Sequence, residues 1–231
     1  MDPMHMLPGM IFVALVCGVY VAAAGFLIRD AVAWVRRRPL RRTVRWRRVR
    51  VAVLALAVVG AVCIAYAHFV EPYWPEVTEV TIPCPDLTAD RPVRIVHISD
   101  LHCDPKVRLE DLPGLIAGLE PDLICFTGDA VNNLNALPVF RRLMRNLVAI
   151  APVYACRGNW DFYNTSTDKL YDRTDVRLLE SESKPVHVAG GRIYLAGAPC
   201  YQVRAIAAAL EPVPEEACSV LLYHVPDGFP E

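Results

Sequence analysis

The stretch His97-Ile98-Ser99-Asp100-Leu101-His102 directly follows Val93-Arg94-Ile95-Val96, a short β-branched run that predicts a buried strand. Asp100 and His102 stand two residues apart where that strand ends, a spacing that lets a carboxylate and an imidazole turn toward one point. Carboxylate oxygen and imidazole nitrogen together suit divalent Mn, Fe or Zn. A single Asp-x-His pair is weak evidence for a metal site, because many surface loops contain one by chance.

Three further apolar runs end in polar residues of the same kinds. They are Asp122–Thr127 before Gly128-Asp129, Val153–Cys156 before Arg157-Gly158-Asn159-Trp160-Asp161, and Ser219–Tyr223 before His224. In open α/β sheets, ligands bind at the carboxyl ends of the strands. Each polar residue alone also fits an ordinary role as a loop histidine, a turn former or a strand cap. The four endings together predict one site.

This ordered series resembles the calcineurin-like metallophosphoesterases over roughly residues 77–231. The motifs of that family are D-x-H, G-D, G-N-H-D, a lone His and a final G-H-x-H. Trp160 stands where the family usually has His, and the sequence reaches Glu231 before any G-H-x-H. We therefore expect a membrane-anchored bacterial type of this family that is C-terminally incomplete.

The resemblance implies two divalent metal ions (Mn, Fe or Zn) that activate water and clamp an in-line displacement at phosphorus. Asp100 and His102 would bind the first ion, Asp129 would bridge, and Asn159 and His224 would bind the second. Arg157 is a candidate for contact with a phosphate oxygen, although pairing with a nearby Asp is an equal alternative. Cys103 follows His102 directly, but we expect it to pack as a small hydrophobe rather than bind metal.

Trp160 changes the chemistry that the resemblance implies. The family's His is thought to assist protonation of the leaving group or to stabilise the transition state. An indole donates one hydrogen bond and cannot shuttle a proton at neutral pH. Phosphoanhydrides and aryl phosphates, which have good leaving groups, would therefore suffer least.

The fold prediction rests on alternation of strands and helices from residue 93 to 156, with leucines at helical spacing over 109–119 and 137–148. Val77–Ile82 predicts a first strand, and Val203–Leu210 a short helix. Short antiparallel strands are expected at Val176–Leu179, Val186–Val188 and Ile193–Leu195, with a turn at Gly190-Gly191. The class is α/β, and the resemblance implies a metallophosphoesterase-like double β-sheet sandwich flanked by helices and preceded by two transmembrane helices.

Two uncharged twenty-residue runs precede this domain, at residues 9–28 and 51–70, and each would make a helix of roughly 30 Å, which spans a hydrocarbon core. Two buried helices of a soluble core are the alternative. We predict a membrane anchor at 1–75, with an Arg-rich loop at 29–50, and the metallophosphoesterase domain at 76–231. Ten Arg in that loop place it in the cytoplasm, so both termini and the domain lie outside a bacterial inner membrane.

Charge and cysteine content bear on which classes of domain the chain can contain. Residues 71–231 hold 14 Lys and Arg against 23 Asp and Glu, so a basic nucleic-acid-binding domain is excluded. The eight cysteines include no C-x-x-C pair. Cys84, Cys200 and Cys218 would be able to pair in an oxidising compartment, and the sequence leaves that pairing open.

We therefore expect metal-dependent hydrolysis of a phosphate ester or phosphoanhydride close to membrane lipid. The expected substrate is a small phosphorylated molecule, and a lipid-linked molecule is one form of it. Similar anchored members of the family cleave the pyrophosphate of a nucleotide-linked lipid A precursor. That substrate faces the cytosol, so the predicted orientation argues against it. The alternative is a catalytically inactive or truncated relative that acts as a membrane-bound binding module. With no G-H-x-H, residues 1–231 alone are not expected to hold a working two-metal centre.

Overall fold

The computed structural model describes residues 3–37, 43–71, 74–103, 109–164 and 167–225. The chain divides into two compact units, residues 1–76 and 77–231. Each unit is described by itself.

The first unit consists of two long helices, α1 (Pro3–Val35) and α2 (Val44–Phe69). Both are long and apolar enough to cross a membrane. None of the α2 residues, all of which are described, is buried, whereas a core helix of a soluble protein buries one face. The helices extend beyond the predicted spans and include most of the stretch predicted as an Arg-rich loop.

Polar and aromatic contacts join the ends of these helices nearest that basic stretch. Asp30 and Arg50 form an ion pair at 2.6 Å. The Arg29 guanidinium lies 5.7 Å from the centre of the Trp46 ring. Charged and aromatic side chains of this kind are typical of the ends of membrane helices, where the chain leaves the hydrocarbon core.

The described residues of the second unit form seven strands and five further α-helices. The strands are β1 (Ile95–Ile98), β2 (Leu123–Phe126), β3 (Val153–Ala155), β4 (Arg177–Leu178), β5 (Glu182–Val188), β6 (Gly191–Gly197) and β7 (Ser219–Leu222). The helices are α3 (Leu112–Gly118), α4 (Leu137–Val148), α5 (Asn159–Asn164), α6 (Thr167–Leu170) and α7 (Val203–Leu210).

The strands form two sheets. One is wholly parallel, in the order β1-β2-β3-β4. The other has the order β5-β6-β7, with β5 and β6 antiparallel and β6 and β7 parallel. The β5–β6 turn has positive φ at both Ala189 and Gly190, 50° and 78°, the backbone that suits the right-handed twist of a two-residue hairpin.

Strand β2 explains why the two sheets pack together. Its four residues are all buried, and successive side chains point to opposite faces. Ile124 and Phe126 join a core with helix α4. Leu123 and Cys125 join a second core that contains residues of all three strands of the other sheet. The predicted α/β class, with a double sheet flanked by helices, is confirmed.

Two details of the predicted fold are wrong. Val77–Ile82 forms no strand and pairs with none in the described part of the chain, because period-two alternation does not by itself supply a neighbouring strand. The strand predicted at Val176–Leu179 shortens to β4, and it pairs parallel to β3 rather than antiparallel. The remaining predicted strands and helices are present with small shifts of their ends.

Candidate metal centre

The loops that follow β1 and β2 are joined by backbone hydrogen bonds. Asp100 N donates to Gly128 O at 3.0 Å, and His102 N donates to Asp129 O at 2.8 Å. Asp100, His102 and Asp129 all have positive φ, at 54°, 46° and 57°. Non-glycine residues adopt this left-handed conformation rarely and at some energetic cost, and it is concentrated at functional sites. The strained backbone turns these side chains toward one another.

Asp129 lies at the centre of the cluster and is 3% exposed. Its Oδ1 accepts a hydrogen bond from Trp160 N at 2.9 Å. Its Oδ2 faces two imidazoles, 3.6 Å from His102 Nε2 and 3.5 Å from His224 Nε2. One carboxylate oxygen is therefore anchored to the protein and the other is directed between two nitrogen donors.

His224 follows β7 in the other sheet, and its ring is oriented by the loop after β2. Its Nδ1 lies 2.8 Å from Thr127 O, and because a carbonyl only accepts, Nδ1 carries the proton. In the neutral ring, Nε2 then presents a lone pair. Nε2 lies 3.0 Å from Asn159 Oδ1, so two acceptors face each other. One metal ion bound by both atoms as neighbouring ligands would satisfy them.

Asp100 and His102 form the other side of the cluster. The ligand atoms of Asp100, His102 and Asp129 all lie within 4.8 Å of one another. The buried Nδ1 of His102 has no hydrogen-bond partner among the described residues. The structure thus brings together two groups of donors, Asp100–His102 and Asn159–His224, on either side of Asp129.

This donor set fits divalent metal ions. Imidazole nitrogen, carboxylate oxygen and amide oxygen are ligands that Mn, Fe and Zn accept. The facing lone pairs of His224 Nε2 and Asn159 Oδ1, and the pair formed by His102 Nε2 and Asp129 Oδ2, are what such ions would satisfy. All five residues predicted from the sequence as metal ligands lie in this cluster.

In this conformation the guanidinium of Arg157 contacts other side chains of the protein. Its guanidinium forms an ion pair with Glu180 and stacks over the Phe162 ring at 4.1 Å. The sequence suggested a nearby Asp as the alternative partner, and the partner seen is a glutamate, Glu180. Contact of Arg157 with a phosphate oxygen stays a prediction.

Cys103 and Trp160 flank the cluster in different ways. Cys103 is buried in the core on the helix side, and burial raises the pKa of its thiol to about 12, so it packs as a small hydrophobe. The Trp160 side chain is exposed, and its ring packs edge to face against His102, with the ring centres 5.6 Å apart. The indole ring of Trp160 therefore borders the Asp100–His102 pair.

Asp161 is the residue whose importance the sequence did not reveal. It is fully buried, and it accepts hydrogen bonds from the backbone N–H groups of Asp129 and Ala130 at 3.0 and 2.9 Å. Burial raises the pKa of its carboxyl group, and these hydrogen bonds act in the opposite direction. An acidic residue after a Gly-Asn turn gave only a weak signal for such a role.

An α/β domain with Asp, His and Asn side chains at the carboxyl ends of its strands is typical of metal-dependent hydrolases. Comparison with known families identifies the particular family. Residues 93–200 match the calcineurin-like phosphoesterases, which are a family of hydrolases. The resemblance predicted from the motifs is confirmed. Four of the candidate ligands lie within the match, and His224 lies beyond it.

Two curated relatives and one solved structure illustrate the likeness. An uncharacterized metallophosphoesterase of Bacillus subtilis, YkuE, is 28% identical over 71% of this chain and 62% of its own length. UDP-2,3-diacylglucosamine pyrophosphatase LpxG of Chlamydia muridarum is 27% identical over 44% of this chain and 32% of its own. The Pseudomonas putida nuclease MPE is 19% identical, with a TM-score of 0.28 over 45% of this chain and 59% of its own. The chain thus spans less than two thirds of the length of each.

Proposed function

We propose that this protein is a membrane-anchored phosphoesterase that hydrolyses a phosphate ester or phosphoanhydride at a centre of two divalent metal ions. The observation that carries the proposal is the position of Asp129 Oδ2, 3.6 and 3.5 Å from the Nε2 atoms of two histidines that come from different sheets. A carboxylate between two sets of donors is suited to bridging two ions.

The candidate ligands would bind the two ions as follows. Asp100 and His102 would hold one ion, Asn159 and His224 the other, and Asp129 both. When bound, such ions lower the pKa of a coordinated water and stabilise negative charge at phosphorus. Thr127 O orients the His224 ring, and Trp160 N holds the far oxygen of Asp129, so the donors keep their directions before an ion arrives.

The proposed class of substrate rests on the surroundings of Asn159. A shallow cavity of about 250 Å³ lies there, lined by Asn159, Phe162, Cys200, Tyr201 and Gln202. Its aromatic lining suits the organic part of a phosphorylated molecule. The LpxG relative is a UDP-2,3-diacylglucosamine pyrophosphatase, which supports a phosphoanhydride and a lipid-linked substrate.

We also propose that the domain faces the outside of a bacterial inner membrane. The Arg-rich stretch between two apolar helices supports a cytoplasmic connection. A disulfide between Cys84 and Cys218 within the second unit supports the same orientation, because disulfides persist in oxidising compartments. Cys84 and Cys218 are two of the three cysteines whose pairing the sequence left open.

The experiment is hydrolysis of para-nitrophenyl phosphate and its bis-ester by the detergent-solubilised full chain with Mn²⁺ supplied. The sequence motifs alone predicted no working two-metal centre in residues 1–231. Because the structure brings five donors together around Asp129, we propose instead that the wild-type chain turns over and that it loses activity with chelator and in Asp129→Asn. Asp122→Asn, the same exchange at the opposite end of β2, should remain active. Mn²⁺ binding without turnover would instead favour the binding-module alternative. If the chain neither binds Mn²⁺ nor turns over substrate, both hypotheses are contradicted.

A further inference from the structure

The carboxylate of Asp161 connects the two loops that carry the central candidate ligands. It accepts the N–H groups of Asp129 and Ala130, more than thirty residues away in the sequence, in the loop after β2. It also accepts the N–H of Gly158, at 2.9 Å, in the loop after β3. A helix cap satisfies local donors only, whereas two of these three donors come from a different loop.

The connection between the loops is reciprocal. Asp161, from the loop after β3, binds the backbone around Asp129, while Asp129 binds the backbone N–H of Trp160 through Oδ1. The loops lie so close that a Cβ on Gly128 would collide with the backbone of Gly158, and a Cβ on Gly158 with the Asp129 carboxylate. The direction of Asp129 Oδ2 is therefore set by contacts that Asp161 completes.

A carboxylate is the side chain that these contacts require. Its two oxygens only accept, and together they satisfy three buried N–H groups that would otherwise lack partners. An asparagine of the same shape would turn an NH₂ group toward at least one backbone N–H. A buried charge is also stabilised by charge-assisted hydrogen bonds of this kind, and a neutral amide gains less from them.

We propose that Asp161 is a positioning residue of the metal centre: it holds the loops after β2 and β3 together so that Asp129 and Asn159 face the same ion. This inference rests on the proposed function. It predicts that loss of the Asp161 carboxylate weakens metal binding beyond any general loss of stability, because outer partners of metal ligands typically affect affinity about 10–100-fold.

The test is calorimetric titration of Mn²⁺ into the full chain in detergent, for wild type, Asp161→Asn and Asp122→Asn. Asp122→Asn is the matched control: Asp122 also accepts a backbone N–H, from Arg94 at 2.9 Å, but at the other end of β2. Asp161→Asn should bind Mn²⁺ at least about tenfold more weakly than wild type. Asp122→Asn should bind like wild type even where its melting temperature falls.

Wild-type affinity in folded Asp161→Asn would overturn the positioning role and leave the metal centre standing. Absence of Mn²⁺ binding in wild type would overturn the metal centre and with it this inference. If Asp161→Asn does not fold, Asp161→Glu keeps the charge and lengthens the side chain by one methylene. Weaker Mn²⁺ binding by this variant, with an unchanged circular dichroism spectrum, supports the proposal, and unchanged binding overturns it.

Discussion

Trp160 has two separate contacts in the candidate centre, and they belong to different parts of the residue. Its backbone N–H holds Asp129 Oδ1 at 2.9 Å, which any residue except proline would also do. Its ring packs against His102 and leaves an exposed apolar face beside the donors. Substitution of the side chain therefore leaves the anchoring of Asp129 intact and changes only the chemistry of that face.

We expect Trp160→His to raise turnover of alkyl phosphates by about tenfold or more, with a smaller effect on aryl phosphates. An imidazole can give a proton to a poor leaving group, whereas an aryl oxide leaves without one. The measurement is kcat for both substrate types with Mn²⁺ supplied. Val139→His, at an exposed position of α4, is the control and should change neither. Equal gains on both substrates would contradict a leaving-group role at position 160.

The start of β2 is tied to the chain before β1 by Asp122. Arg91 donates to both of its carboxylate oxygens, and Arg94 N donates to one of them. The Arg91 hydrogen bonds, the largest influence, hold the pKa of Asp122 below its ordinary value, although burial acts in the opposite direction. The folded state therefore binds a proton at Asp122 less readily than the unfolded state does.

A group whose pKa is lowered by folding stabilises the protein above its unfolded pKa, which for Asp is about 3.9, and loses that effect as the pH falls through the folded value. Asp122→Asn should thus lower the melting temperature by a few degrees near pH 7. The difference from wild type should shrink below about pH 4. Thermal unfolding of both proteins across this range is the measurement, and a difference that grows toward acid would contradict the assignment.

The Cys84–Cys218 disulfide joins the segment before β1 to the residue before β7, which are 134 residues apart. By closing so long a loop it limits the unfolded chain, and its removal should lower the free energy of unfolding by about 2–4 kcal/mol. We expect this loss in Cys84→Ser, measured by denaturant unfolding. Dithiothreitol should bring wild type to the same level and should not change the variant further. Alkylation of both thiols in protein taken directly from cells would show that the disulfide does not form.

The elements that the sequence predicted well are those in which burial enforces the pattern. Strand β2 is apolar throughout because it is covered on both faces, and helix α4 was found from its leucine spacing. Val77–Ile82 was predicted wrongly because its alternation does not identify a partner strand. The Cys84–Cys218 pair and the long-range hydrogen bonds of Asp161 join distant positions, and no local pattern reports such contacts. The five candidate ligands could be named from the sequence because each follows a recognisable strand, and their metal binding stays a prediction.

At the scale of the whole molecule, the distribution of charge predicts the orientation in the membrane. Ten Arg lie in residues 29–50 between the two apolar helices, and the remaining domain is acidic. A periplasm-active reporter fused after Glu231 should therefore be active, and the same reporter inserted within residues 36–48 should be inactive. The opposite pattern would place the domain in the cytoplasm and would favour a cytosolic lipid-linked nucleotide as the substrate.

The most direct measurement of the two-ion centre shared by Asp129 is the Mn²⁺ content of the purified full chain after equilibrium dialysis. We predict two ions for wild type, one for His102→Gln or His224→Gln, and none above background for Asp129→Asn, because Asp129 serves both sides of the cluster. His187→Gln, an exposed histidine on β5, should retain both ions. Full Mn²⁺ content in Asp129→Asn would contradict a shared carboxylate and the two-metal mechanism built on it.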